Sequence, residues 1–198
     1  MGYQNFATGN TILEGELDNL MLQGTMRFTS EATRDSELAA VAAADLHGCF
    51  CVTLDTDSLW YHNGTAWVAR YTPWTTYTPA WTNLTLNSGT VDNAFYQYDA
   101  GNLVVRGQIT FAADTAVSGP IAQTIPDGVT AALGWAGGVG LARDDSGDVF
   151  ENCTIGITPG QSAFSWVASR SGLVVSAAIP WTWAVSDQLT WHYTVPIQ

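Results

Sequence analysis

One stretch decides the fold of this chain: Leu103-Val104-Val105-Arg106-Gly107-Gln108-Ile109-Thr110-Phe111. In its second half apolar Ile109 and Phe111 alternate with polar Gln108 and Thr110, and this period of two is typical of a half-buried β-strand. Short turn sequences rich in Gly, Asp, Asn and Ser separate it from similar segments on either side. We predict strands at 77–81, 91–98, 103–111, 120–125, 135–142, 149–157, 163–168, 173–179 and 189–195.

Eight or nine short strands at such regular intervals favour an antiparallel β-sandwich with a jelly-roll-like arrangement. The region just before them, residues 39–70, predicts a small three-stranded β-meander. Its last two strands are joined by Asn63-Gly64, a dipeptide that favours a tight hairpin in which both residues have φ > 0. We therefore interpret this region as a β-hairpin connector.

Helical signals are confined to residues 1–38. Residues 11–14 fit a capping box, in which a threonine and a glutamate satisfy each other's backbone N–H groups. Behind it Leu13, Leu17 and Leu20 recur at spacings of four and three, which places them on one helical face. Because so short a helix is marginal alone in water, we expect that face to be buried in an attachment or oligomer interface.

A second short helix is predicted over residues 30–38, with Ser30 as its N-cap. The whole pattern predicts a mainly β protein in three parts. These are an N-terminal attachment and oligomerisation segment at 1–38, the connector at 39–70 and a C-terminal β-sandwich knob at 71–198.

The composition excludes several classes of function. The chain has no lysine, six arginines and 18 carboxylates, which gives a net charge of −12. A nucleic-acid-binding protein needs a basic stripe, and an anionic membrane surface would repel this chain. No apolar run approaches the roughly 18 residues of a membrane-spanning helix, and the first residues do not resemble a secretory signal. We expect a protein made in a cytoplasm that neither binds nucleic acid nor inserts into a membrane.

Three cysteines cannot all pair within the chain, and Cys49 and Cys51 lie too close along one strand for an easy disulfide. We expect three reduced, largely buried thiols. With nearby His47 these two cysteines give only three ligands, which do not complete a tetrahedral zinc site. The sequence therefore predicts no metal site and no cofactor.

Catalytic signatures are also weak. No nucleophile-elbow motif accompanies the three histidines, His47, His62 and His192. Four carboxylates lie close together in sequence and could form a glycosidase pair or a calcium site: Asp144, Asp145, Asp148 and Glu151. Their Asp-Asp-Ser-Gly-Asp context is ordinary hairpin-turn chemistry, as is that of Asp55 and Asp57. We predict solvated turns and no catalytic residues.

Nine tryptophans remain to be explained. Trp181 and Trp183 would lie on one face if residues 180–184 were extended. Exposed aromatic faces stack on sugar rings, so this pair is a candidate glycan-stacking site. Packing in the core or at a subunit interface is the alternative interpretation, since tryptophan is favoured there too.

Three segments carry a resemblance to a known family. They are MRFTSEATRD at 26–35, LDTDSLWYHNGTAWV at 54–68 and YTPAWTNLTLNSGTV at 77–91. In this order, they resemble minor tail, fibre and receptor-binding proteins of tailed bacteriophages, particularly phages of actinobacteria. The hairpin segment at 54–68 is the most specific of the three. The resemblance covers roughly residues 20–111.

The resemblance implies a non-enzymatic virion protein, a tail fibre, spike or minor tail subunit that serves host attachment. It implies a homotrimer that docks onto other virion proteins through its N-terminus and contacts a host cell-surface glycan. The tail or tail tip is favoured over the capsid surface, after assembly in the host cytoplasm. A capsid decoration protein or head fibre is an alternative, and a glycan-degrading tail enzyme is disfavoured for want of a site.

Overall fold

The computed structural model describes residues 25–130, 136–157 and 160–196. In these residues the protein is mainly β, with thirteen strands and one α-helix. The chain divides into two compact units, Met1–Ala69 and Arg70–Gln198. The predicted N-terminal helix with Leu13, Leu17 and Leu20 lies outside the described residues. Among the described residues, no helix has the length and apolar character that crossing a membrane requires.

The first unit consists of one short helix and four strands. Its elements are β1 (Met26–Phe28), α1 (Glu31–Glu37), β2 (Phe50–Thr53), β3 (Ser58–His62) and β4 (Trp67–Tyr71), whose last residues belong to the second unit. The strands lie in the order β1-β2-β3-β4, and β1 runs parallel to β2. The predicted second helix is confirmed, since the Ser30 hydroxyl accepts the N–H of Thr33 at 3.1 Å. The predicted meander is confirmed as β2, β3 and β4.

A small apolar core supports this unit. Its buried members come from β1, the segment between α1 and β2, and β2 itself: Met26, Phe28, Leu38, Leu46, Cys49 and Cys51. Since β1 pairs with β2, described residues on both sides of position 38 share this core. The functional division at residue 38 therefore stays a prediction.

The hairpin between β3 and β4 forms, but its predicted turn is wrong. Only Gly64 has a positive φ, 95°, and Asn63 does not. The Asn63 side-chain oxygen instead accepts the backbone N–H groups of Thr65 and Ala66, each at 2.9 Å. This side-chain capping closes a four-residue loop, so the tight two-residue turn is not needed.

The second unit is an antiparallel β structure. Its strands are β5 (Thr75–Thr76), β6 (Trp81–Thr85), β7 (Thr90–Asp99), β8 (Asn102–Thr110), β9 (Ala116–Thr124), β10 (Ala136–Asp144), β11 (Val149–Ile157), β12 (Ala163–Ala168) and β13 (Gln188–Pro196). Hydrogen-bonded neighbours follow the order β7-β8-β13-β10-β11-β12-β9-β6, and β5 pairs with β7. The C-terminal strand β13 is thus inserted between β8 and β10.

This sheet curls around one core. Trp81 on β6 and Trp191 on β13 are five strands apart in the pairing order, which is about 24 Å in a flat sheet. Their ring centroids lie only 5.6 Å apart. Trp81 also stacks on Trp166 of β12 at 5.9 Å. Strand β6, at one end of this order, therefore faces β13 across a shared aromatic core.

Three predicted strands differ clearly from the structure. The strand predicted at 120–125 begins earlier, because β9 starts at Ala116. The prediction at 173–179 is wrong, because Ser176 and Ile179 bond to each other across a tight turn and leave only isolated bridges. The prediction at 77–81 is shifted, since β6 begins at Trp81. Pro79, which has no N–H to donate to a ladder, lies in the segment before it.

Candidate functional site

The most distinctive surface of the second unit crosses the sheet at right angles to its strands. Phe95 on β7 is the cross-strand partner of Arg106 on β8, which is the partner of His192 on β13. His192 in turn pairs with Val139 on β10. Trp74 lies over Arg106. We call the surface formed by these five residues the outer face: Trp74, Phe95, Arg106, Val139 and His192.

Strand alternation puts these side chains outside. On β8 the exposed Arg106 lies between buried Val105 and Gly107, and on β13 the exposed His192 lies between buried Trp191 and Tyr193. Period-two alternation sends the apolar neighbours of Arg106 and His192 into the core and leaves these two residues in solvent.

Arg106 and Trp74 form the centre of the outer face. The guanidinium carbon lies 4.0 Å from the Trp74 ring centroid and 5.7 Å from that of Phe95. Trp74 is 37% exposed. Within the described part of the chain, no carboxylate lies within ion-pair distance of Arg106. Stacking holds the guanidinium in place, while its N–H groups stay available to a ligand.

The outer face is poor in negative charge although the chain is strongly acidic. Strands β8, β12 and β13 contain no aspartate or glutamate. The acidic residues of the second unit are mostly at strand ends and turns. On one side the outer face borders Asp92, whose carboxylate accepts hydrogen bonds from Gln108 (3.0 Å) and Thr110 (2.6 Å). Burial alone would raise the pKa of Asp92, but these bonds and one from Thr90 outweigh it and lower the pKa.

Hydroxyl and amide groups complete this surface. On the outer side of β8, β11 and β13 they come from side chains flanking the central row: Gln108, Thr110, Asn152, Thr154, Thr190 and Thr194. Aromatic rings, an imidazole, a guanidinium and these neutral groups can stack on and hydrogen-bond a polyhydroxylated ligand. The arrangement offers recognition chemistry without a pair of facing carboxylates.

Trp181 and Trp183 are brought together, with ring centroids 5.8 Å apart, but not on a strand. Trp183 stacks on Phe111 at 4.5 Å, and its indole N–H donates to the carbonyl of Ser176 at 2.8 Å. Both tryptophans are half-buried and pack against the core. Residues 180–184 form no strand, so the condition for a shared strand face is not met, and the packing favours the core alternative. A glycan-stacking role for the pair stays a prediction.

The acidic cluster at 144–151 is engaged locally. Asp144 accepts from the Ser146 hydroxyl at 2.7 Å and the Gly147 N–H at 3.0 Å, and these bonds lower its pKa. Asp145 pairs with Arg143 at 2.9 Å. The predicted solvated turn is wrong for Glu151, which is buried on β11 and accepts the backbone N–H of Arg170 at 2.6 Å. Across the described ranges, no group of three or more His, Cys, Asp or Glu side chains could hold a metal ion.

The histidines have different environments. His62 is buried, makes an edge contact with Trp67 at 5.1 Å, and accepts the N–H of Gly64 through Nδ1 at 3.2 Å. Burial, followed by the charges of His47 and Arg34, lowers the pKa of His62. His192 lies on the outer face, beside Arg106, and the sequence pattern did not predict this position.

A second arrangement that sequence reasoning missed is in the first unit. Arg34 is only 4% exposed, and its guanidinium lies between Trp60 (4.8 Å) and Trp67 (5.2 Å). Its Nε donates to Asp35 at 2.8 Å. One signal was available: Arg34 and Leu38 share a helical face at a spacing of four. This arginine joins two of the three segments that carry the family resemblance.

Comparison with known proteins adds no relative: no family model, curated protein or solved structure matches this chain.

Proposed function

We propose that this chain is a structural protein of a tailed-bacteriophage virion, a tail fibre, spike or minor tail subunit that contacts the host cell. The observation that carries this proposal is the outer face. An unpaired arginine stacked on a half-exposed tryptophan, in a sheet face almost free of carboxylates, suits recognition of a surface ligand. The resemblance at 26–35, 54–68 and 77–91 supports the virion assignment.

The ligand class that fits this face is a host cell-surface glycan. Sugar rings present apolar faces for Trp74 and Phe95, and hydroxyls for Arg106, His192 and the neighbouring threonines and amides. Because the chain is acidic, an anionic cell surface would repel most of it. Contact through a face that has few carboxylates is therefore favourable.

In this proposal, the second unit is a sandwich-type, jelly-roll-like knob and the assembled protein is a trimer. Three knobs held together turn weak individual contacts into strong overall attachment, because later binding events become intramolecular. The N-terminal segment with Leu13, Leu17 and Leu20 docks onto other virion proteins.

The protein acts by binding and not by catalysis in this proposal. Most glycoside hydrolases use two carboxyl groups that flank the scissile bond. Asp144, Asp145 and Glu151 are instead occupied by turn, arginine and backbone contacts. We expect no release of reducing sugar when the protein is incubated with cell-wall glycan, even at high protein concentration.

The test of the proposed function is cell labelling. Fluorescent full-length protein is incubated with a panel of actinobacterial cells, with and without periodate oxidation of their surface glycans and with and without protease treatment. We expect labelling that periodate abolishes and protease spares. Labelling of no strain, or labelling that survives periodate, would contradict host attachment through a glycan.

A further inference from the structure

Five buried side-chain polar atoms of the second unit's described residues have no hydrogen-bond partner, and three of them belong to one part of the core. These three are the amide nitrogen of Gln123, the hydroxyl of Tyr193 and the indole nitrogen of Trp81. Gln123 is fully buried on β9, and Tyr193 is 1% exposed on β13. Each of these atoms is buried with no hydrogen-bond partner among the described residues.

The three groups belong to one neighbourhood of the core. Gln123 is the cross-strand partner of Trp81 on one side and of Phe164 on the other. The Phe164 ring lies 4.1 Å from that of Tyr193. Because directly opposite residues have Cβ atoms about 5 Å apart, Gln123 lies between Trp81 and the Phe164–Tyr193 pair.

Tyr77 already forms hydrogen bonds with two side chains of this part of the core. Its hydroxyl accepts the indole N–H of Trp191 at 3.0 Å and donates to the side-chain oxygen of Gln123 at 3.3 Å. The acceptor of Gln123 is thereby satisfied, and its amide N–H groups are left over. Burial, with the Tyr77 hydroxyl as the second cause, raises the pKa of Tyr193 well above its usual value. Tyr193 thus stays a neutral donor and acceptor.

Three unsatisfied buried groups are costly, at about 1–3 kcal/mol each. Native proteins usually satisfy such groups, and buried water molecules do so with about three hydrogen bonds apiece. One water molecule could satisfy all three groups. Its oxygen can accept hydrogen bonds from the Gln123 amide and the Trp81 indole N–H, and it can donate one hydrogen bond to the Tyr193 hydroxyl oxygen. An ion does not fit, because no member of the cluster is charged and its charge would be buried uncompensated.

We propose that an ordered water molecule is bound in the core between Gln123, Trp81 and Tyr193. This water links the neighbouring strands β6 and β9 to β13, which the curled sheet brings opposite them. Through Gln123 it also supports Tyr77 and so holds the segment between β5 and β6 against the core. The site is a structural hydration site, independent of the outer face and of the proposed attachment function.

The first test is the sign of the stability change in Tyr193→Phe, measured as the thermal unfolding midpoint of the full chain. If the hydroxyl binds the water, the variant loses a hydrogen bond and its midpoint falls by about 3 °C. If the hydroxyl has no partner, its removal relieves a buried polar group and raises the midpoint. Tyr96→Phe, at a half-buried tyrosine packed on the same core, is the matched control and should change little. A midpoint that is unchanged or higher in Tyr193→Phe would overturn the proposal.

The second test is a high-resolution crystal structure of the full chain. We expect an isolated density peak about 3 Å from Gln123 Nε2 and from the Tyr193 hydroxyl, a normal hydrogen-bond distance. Clear density for surface waters without a peak at this position would also overturn the proposal.

Discussion

Trp191 occupies the space that a side chain at residue 107 would need. A Cβ atom built on Gly107 would lie 2.2 Å from Cζ2 and 2.6 Å from Cε2 of Trp191. The two residues are cross-strand partners on β8 and β13. Glycine at position 107 therefore lets the indole lie flat against the neighbouring strand, where its N–H reaches Tyr77.

Gly107→Ala should destabilise the second unit by about 1–3 kcal/mol, the usual cost of overpacking a core. Neither Trp191 nor the backbone of β7 can move aside easily, since the Asn93 carbonyl lies 2.7 Å from the same point. Denaturant unfolding followed by tryptophan fluorescence measures the change. Gly137→Ala on β10 is the control, because a Cβ there meets nothing within 4 Å. Equal stability of the two variants would refute this account of the tryptophan core.

Arg34→Ala should destabilise the first unit by about 2 kcal/mol, because the variant loses two cation–π contacts and the packing of a buried stem. Arg34→Lys keeps the charge but lacks the planar group that stacks between Trp60 and Trp67, so it should recover only part of the loss. Urea unfolding of the full chain, with wild type as reference, measures both changes. Full recovery by lysine would show that charge alone, and not stacking, matters at this position.

The cysteine thiols should react slowly in the native protein. The predicted burial of the three cysteines is confirmed, and their reduced state stays a prediction. Burial raises the pKa of Cys51 to about 11 and that of Cys153 to about 11, and it also raises that of Cys49. At pH 8 we expect negligible reaction with a chromogenic disulfide reagent until guanidinium unfolds the chain, when three thiols should react. Rapid native labelling of one or more thiols would contradict their burial.

The same thiols predict an alkaline loss of stability. Because the folded pKa of Cys51 is above its ordinary value of 9.0, the unfolded state releases its proton first as pH rises. The contribution is fully present below about pH 9 and is lost as pH rises toward 11. A Cys51→Ala, Cys153→Ala double variant should show a shallower decline of the unfolding midpoint between these pH values. If the midpoint fell equally steeply with pH in the variant and in wild type, groups other than these two thiols would cause the alkaline loss of stability.

The local sequence pattern predicted where many strands lie, but it did not predict which strands pair with each other. The strands at 149–157 and 163–168 were predicted with the observed bounds, because turn residues punctuate them clearly. The insertion of β13 between β8 and β10 has no local signal, since it depends on side-chain packing between distant segments. The failure at 173–179 has the same cause: apolar residues there suggested a strand, but the segment folds back on itself.

The candidate site could not be predicted from the sequence, because its residues come together only through pairing and packing of distant segments. Arg106 and His192 are adjacent only because β8 pairs with β13, and Trp74 meets Arg106 only through tertiary packing. In the sequence each looks like an isolated residue. Trp181 and Trp183 attracted attention through their short spacing, whereas the structure places them against the core.

The solution mass of the full-length protein tests the proposed assembly. Light scattering behind a sizing column should give three times the chain mass of 21.2 kDa. A monomer at all concentrations would contradict a self-assembling fibre or spike. It would favour a protein that is ordered only on a virion lattice.

The most direct test of the central claim is a binding isotherm of full-length protein on purified actinobacterial cell-wall glycan. Wild type is compared with Trp74→Ala and Arg106→Ala. The controls are Leu173→Ala, at a residue 54% exposed, and Arg170→Ala, whose side chain is 79% exposed; neither residue belongs to the outer face. We predict that each outer-face substitution weakens binding about tenfold, about 1.4 kcal/mol, while both controls bind like wild type. Binding unchanged in Trp74→Ala and Arg106→Ala, or no binding by wild type, would contradict the outer face as the attachment surface.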